Sequence, residues 1–214
     1  MIWLVRHAQS EANIGLVNHD FPNIVLTPLG HAQAEALAQW CPRQPHWLAH
    51  SPFLRAKQTA EPMRRRYAQV PVYELPVQEF TYLNSDQVGG LAPEQREPLS
   101  RAYWERLDPL HREGGPAESF ADLCQRVERF LAWAERQTTF GLVFTHAEFM
   151  RVTLLRLMYP HERDLTVVMR RYAALRHAWH LPNGCIVRLR RPEEHDHDPW
   201  WFSGIETAHL DGLR

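Results

Sequence analysis

Cysteine is scarce in this 214-residue sequence, and charge of one sign is never in excess. The three cysteines, Cys41, Cys124 and Cys185, are odd in number, far apart and without a C-x-x-C pair. This excludes a disulfide framework and a cysteine-based zinc site, and it points to a reducing compartment, the cytoplasm. No window approaches ~18 consecutive apolar residues, so no membrane-spanning helix is expected. Met1-Ile2-Trp3-Leu4-Val5 runs into Arg6 after too few apolar residues for a signal peptide, with no basic segment before it. Lys+Arg of 24 against Asp+Glu of 25 gives a formal charge of −1, which excludes the basic surface of a nucleic-acid coat or a membrane-surface binder. Internal repeats and low-complexity tracts are also missing. With 44% hydrophobic and 23% charged residues the composition is that of a globular chain, read as one domain over 1–214.

What is present in number is histidine, 13 residues, beside 8 tryptophans and 16 prolines. Apolar runs alternate with helical patterns. Ile2-Trp3-Leu4-Val5, Trp47-Leu48-Ala49, Val70-Pro71-Val72-Tyr73 and Leu142-Val143-Phe144 read as strands. Cys185 to Leu189 alternates like a further strand, and Trp200 to Ile205 is the last. Thr27-Pro28 opens a helix running to Trp40, and Ser51-Pro52 opens another that Pro62 should kink or restart. Ser119 begins a helix with Phe120, Leu123, Val127, Phe130 and Leu131 on one face, and a fourth passes through Val152, Leu155 and Met158. This alternation predicts an α/β fold of three layers, α/β/α, around a mostly parallel sheet. Phe80 to Pro116 interrupts it, too polar and proline-punctuated for a core element, with only Leu99 to Leu107 helical. Residues 80–117 are therefore read as a lid-like excursion that sets substrate specificity.

Ligands of open parallel sheets bind outside the carboxyl ends of the strands. Here those ends carry Arg6-His7, then Ser51 with Arg55 one helical turn on, Glu79 after the third strand, and Thr145-His146. Two arginines, two histidines and one acid suit phosphoryl transfer. Guanidiniums hold the equatorial oxygens of a phosphate monoester in bidentate fashion. Neutral imidazole is a competent nucleophile that nearby cations keep unprotonated. A carboxylic acid protonates the departing alkoxide and then takes a proton from water. With the arginines in this role, neither a metal nor another cofactor is required.

The sequence resembles the histidine phosphatase superfamily, also called phosphoglycerate mutase-like, on its phosphatase branch. The resemblance covers essentially the whole chain. Leu4-Val5-Arg6-His7-Ala8-Gln9-Ser10-Glu11-Ala12-Asn13 is similar to the family's L-x-R-H-G-x-x-x-x-x-N. Leu26-Thr27-Pro28-Leu29-Gly30-His31-Ala32-Gln33-Ala34 matches L-T-x-x-G-x-x-Q-A, and Ser51 to Ala60 matches S-x-x-x-R-A-x-Q-T-A in full. Glu118-Ser119, His146-Ala147-Glu148-Phe149-Met150-Arg151 and Pro182-Asn183-Gly184 resemble three later motifs. The resemblance implies that His7 becomes phosphohistidine, that Arg6, Arg55 and His146 hold the phosphoryl oxygens, and that Glu79 donates the proton. Asn13, Ser10, Ala147 and Tyr82 would line the substrate pocket. The expected partner is a small phosphorylated substrate, with no nucleic acid and no membrane.

Two departures keep other readings open. Alanine replaces glycine after each histidine, at Ala8 and Ala147, which leaves room for a relative that binds phosphorylated ligands without turnover. After Glu79 comes Phe80-Thr81-Tyr82-Leu83 rather than the glycine-rich continuation of the mutases, which weighs against a phosphoglycerate-type phosphomutase. Glu148 is balanced between touching substrate and opening a helix in solvent. Arg64-Arg65-Arg66 reads as a wet helix face, Glu193 to Asp198 as a solvated loop despite its metal-ligand composition, and Trp200-Trp201-Phe202 as sheet-edge packing. Cys185 to Arg191 fits C-x-x-x-x-x-R, the pattern of cysteine-dependent phosphatases. As an extended strand it would hold its ends about 20 Å apart, so Cys185 reads as a core thiol.

Overall fold

The computed structural model describes residues 1–191 and 200–213. In chain order the elements are β1 (Ile2–Arg6), α1 (Pro28–Trp40), β2 (Trp47–His50), α2 (Leu54–Arg66), β3 (Val72–Glu74), α3 (Ser85–Val88), α4 (Pro93–Arg106), α5 (Phe120–Glu135), β4 (Gly141–Thr145), α6 (Ala147–Met158), α7 (Leu165–Ala178), β5 (Ile186–Arg190) and β6 (Trp201–Phe202). The six strands form one sheet in the order β3-β2-β4-β1-β5-β6. β3, β2, β4 and β1 run parallel, and β5 and β6 add antiparallel at the β1 side.

Both faces of the sheet are covered, and strand alternation decides which residue goes where. Trp3 and Val5 of β1 join Leu37 and Ala38 of α1 and Ala60 and Met63 of α2 on one face. Ile2 and Leu4 join Leu123 and Val127 of α5, Phe149 and Val152 of α6, and Val168 and Tyr172 of α7 on the other. The helices that follow β1 and β2 thus cover one face, and those that follow β3 and β4 the other. The crevice that this reversal opens lies at the carboxyl ends of β1, β4 and β2. Among the described residues no helix is long and apolar enough to cross a membrane.

Local chemistry explains most boundaries. The Thr27 hydroxyl caps α1 by accepting the Gly30 N–H at 3.0 Å. Gly30 has no room for a side chain, because a Cβ there would stand 2.0 Å from the Gln9 carbonyl oxygen. Ser119 and Asp122 form a reciprocal capping box at α5. The sheet ends in short strands, the exposed three-residue β3 on one side and the two-residue β6 on the other.

Several expectations change. Pro62 does not restart α2; it lies inside one helix that runs from Leu54 to Arg66, with Ala60 and Met63 packed in the core. The Ser51 hydroxyl does not cap this helix but accepts the Phe53 N–H at 3.1 Å, and the helix starts at Leu54. The excursion is no solvated ornament. Its helix begins at Pro93, six residues before the expected Leu99, and Phe80, Tyr103 and Trp104 are buried in the main core cluster. α7 has no counterpart among the elements the sequence predicts. The last strand is limited to Trp201–Phe202, an edge position where Trp201 is exposed while Trp200 and Phe202 pack against the core. The Glu193 to Asp198 segment lies outside the described residues.

Candidate active site

The backbone of His7 is fixed from both sides. Its N–H donates to the Thr145 carbonyl at 2.8 Å, and its carbonyl accepts from Gly184 N at 3.2 Å and from the Asn183 side chain at 3.1 Å. Gly184 makes that turn at φ +75, a conformation that suits glycine. The His7 Nδ1 lies 2.8 Å from the Ala8 carbonyl oxygen. A carbonyl can only accept, so the proton is on Nδ1 and Nε2 keeps its lone pair. Arg55 Nε donates to that Nε2 at 3.4 Å. Burial, then the Arg55 and Arg6 charges, hold the His7 pKa well below the usual histidine range, so the ring is neutral at pH 7.

His146 follows β4, its ring centroid 5.0 Å from that of His7. Its Nε2 is 2.8 Å from the Ser51 hydroxyl. That hydroxyl accepts from Phe53 N and has one proton of its own to give; donated to Nε2, it leaves the hydrogen of the neutral His146 ring on Nδ1. Among the described residues this Nδ1, which is buried, has no partner, and neither has Arg6 Nε. Burial, followed by Arg55 and then His7, depresses the His146 pKa as well. Burial also lowers that of Arg55, to about 10, which leaves the guanidinium charged at neutral pH. Arg55 is braced by the Phe21 carbonyl at 2.9 Å and by the Phe53 ring, 4.9 Å from its central carbon. At the strand-end edge that carries His7 there are thus two buried nitrogens, Arg6 Nε and His146 Nδ1, without a hydrogen-bond partner among the described residues. Such orphans cost free energy unless an acceptor arrives, and an anion with several oxygens fits.

Residues 2–195 match the family model of the histidine phosphatase superfamily, branch 1. The chain belongs to that superfamily. No curated protein sequence matches it. Among solved structures, the phosphoserine phosphatase of Entamoeba histolytica, in complex with 3-phosphoglyceric acid, is similar with a TM-score of 0.69 and 19% identity, covering 98% of each chain. A putative alpha-ribazole-5'-P phosphatase of Escherichia coli gives 0.71 and 22%, covering 96% of this chain and 95% of that one. A mycobacterial glucosyl-3-phosphoglycerate phosphatase gives 0.66 and 21%, covering 88% of each. At such identities the likeness speaks for the fold.

The superfamily's glycine positions hold alanine here without strain. Neither Ala8 nor Ala147 has a positive φ. The Ala8 methyl packs with Leu26 and Ala34, and its N–H donates to Thr59 Oγ1 at 3.0 Å. Ala147 is the buried first residue of α6.

Glu79 sits on a loop held at three points. Thr145 Oγ1 donates to the Val77 carbonyl at 2.6 Å, and Arg126 of α5 donates to the Pro76 and Gln78 carbonyls at 3.0 Å each. Arg126 is itself fixed by two bonds to Glu118, at 2.7 and 2.8 Å, which gives the Glu-Ser motif a physical role. Glu79 Oε1 accepts from the N–H groups of Phe80 at 3.2 Å and of Glu148 at 3.0 Å. Glu148 is not a solvated helix start. Its carboxylate accepts from Arg151 at 3.1 Å, while its Oε2 is buried without a hydrogen-bond partner among the described residues. Burial first, and the neighbouring Glu79 second, push its pKa up to about 7.

Other sequence candidates are placed differently. The Ser10 N–H and hydroxyl both donate to Asn13 Oδ1, at 3.0 and 2.8 Å, and Asn183 donates to the same oxygen at 3.0 Å. Ser10 is buried and Asn13 exposed, so this pair closes the β1 loop on itself, with the Asn13 amide nitrogen left toward ligand or solvent. Tyr82 bonds Ser100 at 2.7 Å and lines a cavity of about 600 Å³ that also includes Arg55 and Glu79. Arg96, which from sequence could supply charge for a mutase-type carboxylate site, lines it too, as do Phe21, Phe53 and Arg176, unassigned from sequence. For Arg176 the missed signal was Asp164 capping a helix with Leu165, Val168, Met169 and Tyr172 at i, i+3, i+4, i+7 spacing. Arg64, Arg65 and Arg66 are exposed, and Cys185 is a buried thiol whose pKa burial pushes up to about 12. β5 is extended through Arg190, so no loop curls between Cys185 and Arg191.

Proposed function

We propose that the protein hydrolyses phosphate monoesters through a phosphohistidine on His7. The observation that carries this is the fixed tautomer of His7, which presents a neutral Nε2 beside Arg55, at the same strand-end edge as the unpartnered Arg6 Nε and His146 Nδ1. Nε2 attacks phosphorus as the ester P–O bond breaks. Arg6, Arg55 and His146 Nδ1–H hold the equatorial oxygens and match the charge that builds there. Glu79 gives its proton to the departing alkoxide. As carboxylate it then takes a proton from water, whose oxygen attacks phosphorus while the N–P bond breaks, releasing inorganic phosphate and restoring His7. Arg6, His7, Arg55, Glu79 and His146 are the catalytic residues in this reading. Asn13 and Tyr82 are contacts for the rest of the substrate. The phosphatases among the structural neighbours support the reaction class.

With arginines in the place of a metal, hydrolysis of 4-nitrophenyl phosphate is expected to survive EDTA. The decisive experiment is a rapid quench during turnover followed by peptide mapping. Phosphate that is labile in acid, stable in base and attached to His7 supports the reading; phosphate on another residue, or turnover with none trapped, overturns it.

A further inference from the structure

We infer that the 600 Å³ cavity takes the alcohol portion of the substrate, and that this portion is a planar aromatic body carrying an anionic group of its own. The inference rests on the phosphatase reading. Arg55 and Glu79 line the cavity, so an ester whose phosphoryl group sits at His7 has its leaving oxygen beside Glu79 and its carbon skeleton in this space.

The size and the walls select the skeleton. A three-carbon phosphate would leave most of the volume empty, whereas cavities of roughly 300–1,000 Å³ enclose ligands with ring systems. Phe21, Phe53, Phe80, Tyr82 and Trp104 contribute to the walls from four separate segments. Three of these rings pack on one another, Phe80–Tyr82 at 5.2 Å, Tyr82–Trp104 at 5.4 Å and Phe80–Trp104 at 6.2 Å, which makes a wall that holds its shape. Aromatic faces and edges of this kind pair with another ring at little entropic cost. A polyhydroxylated skeleton would find few partners for its hydroxyls against them.

Charge selects the second group. Of the three arginines in the wall besides Arg55, Arg101 is neutralised by two hydrogen bonds to Glu97, at 3.2 and 2.7 Å. Arg96 and Arg176 are half-buried and have no carboxylate in ion-pair range among the described residues. Each instead lies over an aromatic ring, Arg96 at 5.9 Å from the Phe21 centroid and Arg176 at 4.5 Å from that of Trp104. Arg176 feels Glu148 only beyond ion-pair range, and Glu105 in the wall is paired with neither arginine, so two guanidiniums held against apolar surface with no carboxylate within 4 Å favour an incoming carboxylate or phosphate over a neutral or cationic group.

Isothermal calorimetry on the full chain with three non-hydrolysable phosphonates tests this. 2-Naphthylphosphonate is expected to bind at least about tenfold tighter than methylphosphonate. 6-Carboxy-2-naphthylphosphonate is expected to gain about a further fivefold. That second gain should vanish in the double variant Arg96→Gln, Arg176→Gln. Equal affinity for the naphthyl and methyl compounds, or tighter binding of glycerol 3-phosphonate than of either, overturns the aromatic assignment. A carboxylate gain that persists in the double variant overturns the anionic one. If these fail while phosphohistidine still forms on His7, only this inference falls; if aromatic phosphonates bind as expected but no phosphohistidine forms, the phosphatase reading falls instead.

Discussion

Arg6, His7, Ser51 and His146 lie within one residue of the ends of β1, β2 and β4, where main-chain hydrogen bonds such as His7 N to Thr145 O and Ser51 N to Phe144 O fix them. Phe80, Tyr82, Arg96 and Trp104 belong to the excursion, where side-chain packing does the holding. The first region is placed by the sheet whatever its side chains are. The second has few main-chain bonds to the rest of the molecule, such as Glu118 N to Thr81 O, and is placed mainly by its side chains. Substitutions in the first should therefore cost chemistry and spare the fold, and substitutions in the second should cost both stability and binding.

The sharpest break is expected from His7→Ala. It should lower kcat for 4-nitrophenyl phosphate by about 10⁴-fold or more, a barrier change of ~5.5 kcal/mol, while the thermal midpoint holds; hydrolysis that survives would remove His7 from its role. Next comes Trp104→Ala in the wall. Trp104 is 7% exposed and contacts Phe80, Phe120 and Tyr172, so urea denaturation should show a loss of about 4 kcal/mol. A variant as stable as the parent would mean that the wall is not part of the core. Glu79→Gln stands between the regions, on a clamped loop at the cavity edge. It should slow alkyl phosphates about a hundredfold, ~2.7 kcal/mol, and activated aryl esters far less; equal slowing of both would count against Glu79 as the acid.

The smallest effect concerns Glu148, whose folded pKa of about 7 stands above the ordinary value of 4.5. The folded state therefore holds a proton that the unfolded state has lost between those two values. Stability from this group is fully present below pH 4.5 and is lost as pH rises through 7. Glu148→Gln should accordingly be more stable than the parent at pH 8, by about 2 kcal/mol, with the gain gone near pH 4. A difference in melting temperature that is the same at both pH values would contradict this account.

The same contrast explains what could be read from the sequence. Period-two apolar runs and the polar residues that end them are local signals, and they located β1, β2, β4 and the catalytic edge. Glu79 was legible as the acid that follows β3, but the grip of Thr145 and Arg126 on its loop joins segments about 50 to 70 residues apart and leaves no local trace. Glu148 was undecided because helix spacing alone does not tell a buried first turn from a wet one. The excursion was read as polar because its charged residues outnumber the few that go inside, and three buried aromatics outweigh them. α7 went unassigned because its arginines and β-branched residues blur the periodicity of Leu165, Val168, Met169 and Tyr172. The loop bonding of Ser10 to Asn13 shows the opposite limit: a motif locates a residue without saying which way its hydrogen bonds go.

The shortness of the outer strands bears on behaviour at high concentration. β3 offers three residues of unpaired backbone, bracketed by Pro71 and by a Glu74 that Lys57 holds at 2.9 Å, and β6 offers two. An exposed strand edge is a template on which another chain can build. Here the template is too brief, and on one flank too charged, for a second molecule to extend the sheet. Crowded solutions of the folded protein should thus stay free of cross-strand fibrils, and any that form should begin from chains that have first come unfolded.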